Sequence, residues 1–126
     1  MNAITDQQAR MLERRLVERE SQLNADIEAS RALARQRSAQ FSHDVIDRKA
    51  DATDEAAVEV EQAETERDIA ELSAIQAARL RLAEGRYGVC ADCQEPIGLQ
   101  RLLAQPAALR CAACQATLEE RRKHPR

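Results

Sequence analysis

All four cysteines of this chain fall in two short pairs, Cys90-Ala91-Asp92-Cys93 and Cys111-Ala112-Ala113-Cys114, separated by seventeen residues. Each pair can curl so that both thiolates face one ion, and a connection of this length brings the two pairs together. That is the donor set of a tetrahedral Zn²⁺. Four thiolates complete the coordination and leave no open position for water or substrate, so such a site builds structure and hydrolyses nothing. Two other chemistries use the same residues. A redox C-x-x-C needs a neighbouring βαβ pattern, and none is read here. Disulfides suit a secreted chain, and the sequence shows no signal peptide. His43 and His124 stand far from the pairs and read as solvated surface residues. The expectation is one structural Zn²⁺ per chain on Cys90, Cys93, Cys111 and Cys114, with no catalytic residues and no enzymatic activity.

The elements that must position these cysteines are helical. Residues 1 to 84 contain neither Gly nor Pro, and Gly85 is the first helix breaker. Thr5 followed by Gln8 has the form of a capping box. Apolar residues then recur at Leu12, Leu16, Leu23, Ile27, Ala34 and Phe41, in steps of four and seven. A second stripe runs through Val58, Ala63, Ile69, Leu72, Ile75, Ala78 and Leu82. The segment between the stripes loses the pattern, and Asp51 or Thr53 can cap a second helix there. Pairing Leu12 with Leu82, Leu23 with Leu72 and Ile27 with Ile69 places the fold-back near residues 47 and 48, so the two helices pack antiparallel. Each arm would measure roughly 45–55 Å at 1.5 Å per residue.

Gly85 fits the position just past a helix end. Ile97, Leu99, Leu102, Leu103 and Leu109 can supply a small apolar cluster around the metal, and 112–123 reads as a terminal helix. The expected fold is mainly α: a long antiparallel coiled-coil helical hairpin over 1–84, with an acidic tip near 44–54. A four-cysteine zinc-finger domain with its terminal helix follows over 85–126. So small a core depends on its metal for folding energy.

Composition agrees. Aromatic residues make up 2% of the chain and charged residues 33%, a recipe for long helices rather than a large core. A net charge of -3 excludes a general polyanion binder. No apolar run is long enough for a membrane. Reduced cysteines and the lack of a leader give the expectation of a cytoplasmic protein. Charge is unevenly spread. Residues 43–68 hold ten acidic side chains against three basic ones, while 86–126 hold four against seven. Asp44, Asp47, Asp51 and Asp54 cluster at the expected apex. They fit turn and capping chemistry, and equally an acidic tip that meets basic groups or a metal at the bottom of a cavity.

The pattern Cys90-x₂-Cys93-x₃-Ile97-x₃-Arg101-x₄-Pro106-x₄-Cys111-x₂-Cys114 resembles the C4-type zinc finger of the DksA/TraR family. Those proteins are bacterial regulators of RNA polymerase. Gly85-Arg86-Tyr87-Gly88 is also similar to the family's approach to its finger, and Ala91 departs from a position the family usually fills with a small polar or acidic residue. The resemblance covers 47–120, with the first helix similar in architecture.

It implies a hairpin that enters the secondary channel of RNA polymerase, with its acidic tip acting near the active site. The family's D-x-x-D-x-A tip pattern falls with its first Asp on Asp47, its second on Ala50 and its Ala on Ala52; Asp51 is adjacent, and Asp44 to Asp47 offers a second D-x-x-D. Arg67 matches a basic position of the family's coiled coil. The basic residues that help hold guanosine tetraphosphate fall on Ala74, Gln105 and Gln115, none of them a cation, so weak or absent dependence on that alarmone is expected. The resemblance thus implies a transcription regulator that binds RNA polymerase as a monomer, without specific DNA binding and without a membrane. The other readings are a DNA-binding zinc-finger protein, disfavoured by the acidic pI, and a transcript-cleavage cofactor whose tip carboxylates help hold Mg²⁺.

Overall fold

A computed structural model of the chain describes residues 3–44 and 52–124, with side chains over 3–40 and 55–124. Four helices follow in order: α1 (Asp6–Asp44), α2 (Ala52–Ala83), α3 (Leu99–Ala104) and α4 (Ala112–Lys123). Among the described residues extended pairing is limited to an isolated antiparallel bridge between Val89 and Pro96.

The helix ends follow from local chemistry. At the start of α1 the Gln8 amide donates to Thr5 Oγ1 at 3.1 Å, and the Thr5 amide donates to Gln8 Oε1 at 2.9 Å. These are the two reciprocal bonds of a capping box. Past the end of α2, Gly85 takes φ +73° with nothing near its missing Cβ, so the backbone conformation alone demands glycine. Its amide bonds Leu82 O at 3.2 Å, and the Arg86 amide reaches Arg81 O at 2.8 Å, which closes a Schellman motif.

The chain divides into two compact units, Met1–Glu20 with Ser73–Arg126 (the finger unit) and Ser21–Leu72 (the helical unit). In the finger unit the helices run antiparallel, with Leu12, Leu16, Ile75 and Ala78 buried and Arg79 donating to Glu20 at 2.8 Å. In the helical unit Leu23 and Ile27 are buried, and Arg37 pairs with Glu61 across the helices. The fold is therefore mainly α, a hairpin of two long helices followed by a small four-cysteine module with a terminal helix.

The first apolar stripe is observed at Leu12, Leu16, Leu23 and Ile27. Ala34 is exposed, and Phe41 lies outside the described side chains. The second stripe is partly displaced. Ile75 and Ala78 are buried, but Ala63 is exposed and Ile69 is 43% exposed. Val58, Leu72 and Leu82 are half-buried as expected, and the other half-buried positions before Leu72 are Glu61, Thr65, Asp68 and Glu71. The α2 seam follows the 3–4 spacing of a hairpin helix, with polar residues between Val58 and Leu72. The expected pairing of Ile27 with Ile69 does not form, because Ile27 faces inward and Ile69 outward. The ion pairs Arg37–Glu61 and Glu20–Arg79 join positions whose sums are 98 and 99, slightly later than the 94–96 of the expected pairs.

Candidate metal centre

The two cysteine pairs are shaped by turns on either side of α3. In the first, the Cys90 amide donates to Glu95 O at 2.8 Å and the Gln94 amide to Cys90 O at 3.0 Å. Gln94 takes φ +64°, which curls the chain back immediately after Cys93. The Ile97 amide returns to Gly88 O at 2.8 Å. The second pair sits at the start of α4, where Cys111 is the N-cap and its sulfur accepts the Cys114 amide at 3.4 Å.

Three bonds hold one pair against the other. The Ala91 amide donates to Leu109 O at 2.8 Å. Arg110 Nε donates to Asp92 Oδ2 at 2.9 Å, and Arg101 Nε to Arg110 O at 2.8 Å. Arg101 thus fixes the carbonyl just before Cys111, which gives the arginine of the family pattern a physical reason. The Pro106 backbone carbonyl accepts the Tyr87 hydroxyl at 2.7 Å, a bond that does not depend on the residue being proline. Burial pushes the Tyr87 phenol up to about 12. At Ala91 only the backbone amide is used and the side chain is exposed, so the departure from the family leaves these bonds intact.

The outcome is a cluster in which the sulfurs of Cys90, Cys93, Cys111 and Cys114 all lie within 4.8 Å of one another. Cys93 Sγ and Cys111 Sγ are 3.9 Å apart. Zn–S bonds of about 2.3 Å in a tetrahedron put sulfurs about 3.8 Å apart, whereas a disulfide needs about 2.05 Å. The donor set fits zinc and the cysteines are not oxidised. Cys90 is fully buried and Cys111 nearly so, while Cys93 is exposed. Burial raises the Cys90 thiol, but donation by the Cys93, Cys111 and Asp92 backbones outweighs it and brings the thiol down to about 6. Its neighbours Cys111, Cys90 and Cys93 drive Cys114 the other way, to about 12. Four sulfurs this close do not all ionise without a cation between them.

The surrounding core was only partly legible. Ile97 and Leu102 are buried and Leu99 packs against them, as the sequence suggests. Leu103 is 37% exposed instead. Its expected place is taken by α1: Leu12 belongs to the same buried cluster as Cys90, Ile97, Leu102 and Cys111, and Ile4 and Met11 pack against it. Gly88 takes φ +86°, and a Cβ there would meet Ile4 at 3.3 Å. Arg81, on the last turn of α2, donates to Val89 O at 2.6 Å. The signals for these partners are weak in sequence. A capped N-terminus with Ile4 just before it and a sole tyrosine after a helix stop are the two that stand out.

The other residues singled out in the sequence are spread elsewhere. Asp47 and Asp51 lie outside the described residues. Asp44 ends α1 and Ala52 begins α2, and their side chains lie outside the description as well. Arg67 is exposed on α2. Ala74 is half-buried, Gln105 exposed, and Gln115 donates to Glu119 at 3.1 Å. His124 is exposed and lies 3.4 Å from Glu120, away from the cysteines. No described helix is long and apolar enough to cross a membrane.

The model of the prokaryotic dksA/traR C4-type zinc finger matches residues 85–120, the segment that carries the cluster. The structure of transcription factor DksA2 from Pseudomonas aeruginosa superposes with a TM-score of 0.71 at 30% identity, covering 94% of this chain and 88% of that one. The chain belongs to the DksA/TraR family. An uncharacterised 8.2 kDa protein of Escherichia phage P2 is 40% identical over 52 residues, 41% of this chain and 70% of that protein. The RNA polymerase-binding transcription factor DksA of Caulobacter vibrioides is 36% identical over 80 residues, which is 64% of this chain. The match spans about half of that factor, 54% of its length.

Proposed function

We propose that this DksA/TraR family member is a transcription regulator that binds RNA polymerase, with no enzymatic step and no sequence-specific DNA recognition of its own. The observation that carries the reading is the likeness, over nearly the whole chain, to a solved transcription factor of the family, together with the four-cysteine cluster in the matching finger. The Caulobacter relative supplies the partner by its name. In this reading Cys90, Cys93, Cys111 and Cys114 hold one structural Zn²⁺ per chain. The hairpin of residues 1–84 enters the secondary channel of the polymerase as a monomer in the cytoplasm, and the finger over 85–126 anchors its base. Arg67 contacts the polymerase from the coil. Asp44, Asp47, Asp51 and Ala52 form the tip that acts near the active site, where one carboxylate adds little affinity but alters the outcome. Ala74, Gln105 and Gln115 offer guanosine tetraphosphate no cation, so the alarmone adds little.

The test measures capture of core polymerase and promoter output side by side for wild type, Asp47→Asn, Asp51→Asn and the double variant. Binding is expected to be competed by a secondary-channel ligand. The double variant should retain occupancy and lose most of the effect on transcription, and with a polymerase whose other alarmone site is disabled added alarmone should change wild-type output by less than about twofold. Failure to capture polymerase sinks the reading as a whole. A double variant that regulates like wild type at equal occupancy sinks the tip mechanism alone.

A further inference from the structure

The four cysteines of the cluster are not held equally. Cys111 and Cys114 stand at the first turn of α4, where the Gln115 amide bonds Cys111 O at 2.9 Å. Cys90 is buried in one core with Ile97 and Leu102. Cys93 is exposed, and so is every residue from Ala91 to Glu95. The next residue, Gln94, takes φ +64°, a backbone conformation that side chains other than glycine adopt at a cost. Cys93 is therefore the ligand that the fold restrains least and that a competing chelator meets first.

Among the described bonds, those within the first hook tie this arm only to itself: the Cys90 amide to Glu95 O and the Gln94 amide to Cys90 O. Apart from the sulfurs, two bonds join it to the second hook. The Ala91 amide donates to Leu109 O, next to Cys90, which the core already fixes. Arg110 Nε donates to Asp92 Oδ2 at 2.9 Å, next to Cys93. The Arg110 end of this ion pair is firmly based. Its carbonyl accepts Arg101 Nε at 2.8 Å, Arg101 precedes the wholly buried Leu102 on α3, and the following Cys111 is buried. The Asp92 side chain is 46% exposed and that of Arg110 29%.

We infer that Asp92 and Arg110 form a clasp that keeps Cys93 on the metal: they are positioning residues, and their ion pair slows the loss of zinc. The inference rests on the structural Zn²⁺ of the proposed reading and on nothing about polymerase. Partners outside the ligand set commonly orient the ligands themselves. A simpler electrostatic account gives Arg110 a different role. A zinc ion with four thiolates is doubly negative, so a nearby guanidinium would retain it by charge alone. The two accounts part at Asp92. Removing its carboxylate takes a negative charge away from a negative site and frees the Arg110 guanidinium. Charge alone then holds the metal longer, whereas a broken clasp lets it go sooner.

The test uses the zinc-loaded full chain and follows transfer of its metal to an excess of a chromogenic chelator. Asp92→Ala and Arg110→Gln should each speed release by about fivefold, less than the 10–100-fold typical of partners around a metal because this pair is half-exposed. The double variant should release zinc no faster than either single one, as expected for two residues acting through one bond. The exchanged pair, Asp92→Arg with Arg110→Asp, should return release to within about twofold of wild type. Alkylation of the zinc-loaded variants, mapped by mass spectrometry, should rise at Cys93 ahead of the other three cysteines. Release that is unchanged or slower in Asp92→Ala overturns the clasp. So do additive effects in the double variant, an exchanged pair no better than the single variants, or alkylation that rises equally at all four cysteines. A wild-type chain that binds no zinc sinks the metal of the proposed reading as well, so the two failures are distinct.

Discussion

The finger unit and the helical unit draw on the same two helices and secure them by different means. In the finger unit Leu12, Leu16, Ile75 and Ala78 are buried, Leu12 joins a core that contains two cysteines of the cluster, and backbone carbonyls are pinned by Arg81 and Arg101. In the helical unit the buried apolar residues are Leu23 and Ile27, and a forked ion pair spans a polar seam. The charges differ as well. The sequence of the finger unit holds 13 basic and 9 acidic residues, and that of the helical unit 6 and 13. An acidic, thinly packed helix pair repels itself, so the few cross-helix cations in it matter more than they would elsewhere. One chain thus has two kinds of vulnerability, to loss of metal in one unit and to loss of charge pairing in the other.

The largest effect is expected from the metal site. In small zinc fingers, metal binding of about 10–16 kcal/mol is folding free energy, which matches or exceeds the whole stability of a typical domain, about 5–15 kcal/mol. Cys111→Ser, or a strong chelator, should abolish amide protection over 87–111 and also over 4–16, because Ile4 and Leu12 share the core with the cysteines. Segments 21–40 and 55–72 should keep theirs. Uniform loss across both units would erase the distinction drawn above.

A second, smaller effect sharpens it within apolar residues. Leu12→Ala should cost about 2–5 kcal/mol in the finger unit and speed zinc release to a chelator, since Leu12 is wholly buried in that core. Leu33→Ala, at a position 41% exposed in the helical unit, should change stability by less than about 0.5 kcal/mol. Urea denaturation followed segment by segment distinguishes the two. Equal costs would mean that the helical unit hides a core not apparent in its exposures.

Acid gives the smallest effect. The hydrogen bond from Arg37 holds the Glu61 carboxyl below its ordinary 4.5, against an opposing effect of burial and with a lesser contribution from the Arg37 charge. A lowered folded value means that the unfolded chain binds the proton more readily. The contribution is complete above about pH 4.5 and fades as pH falls through the folded value, so exchange in 28–40 and 55–68 should rise slightly below pH 4.5. Glu61→Gln should flatten that rise, and an unchanged acid profile in this variant would assign it to other carboxylates.

The sequence was most legible where a residue type is demanded by geometry. The cysteine spacing, the Thr5–Gln8 box, Gly85 at φ +73° and the helix over 112–123 each have one structural solution, and each is found. It was least legible along α2. There Ala and Glu alternate so densely that several stripes fit, and the apolar Ile69 outweighed the polar Glu61, Thr65 and Asp68 in a search for buried residues. A seam closed by ions leaves no hydrophobic period to read. The role of Leu12 beside the cysteines was hidden for another reason. It is a contact between residues nearly eighty positions apart, and a heptad stripe cannot say that one of its leucines also serves a second core.

That shared leucine bears on how portable the metal module is. The segment matched to the finger model starts at Gly85, which invites its use as a transplantable cassette. A graft cut there carries Ile97, Leu102 and all four cysteines, but leaves behind Leu12, the Ile4 side chain against Gly88 and the Arg81 guanidinium on Val89. The excised piece would present to water the faces those residues cover. A faithful transplant must therefore bring the opening turns of the first helix and the last turn of the second, so that the smallest exchangeable part is discontinuous in the chain.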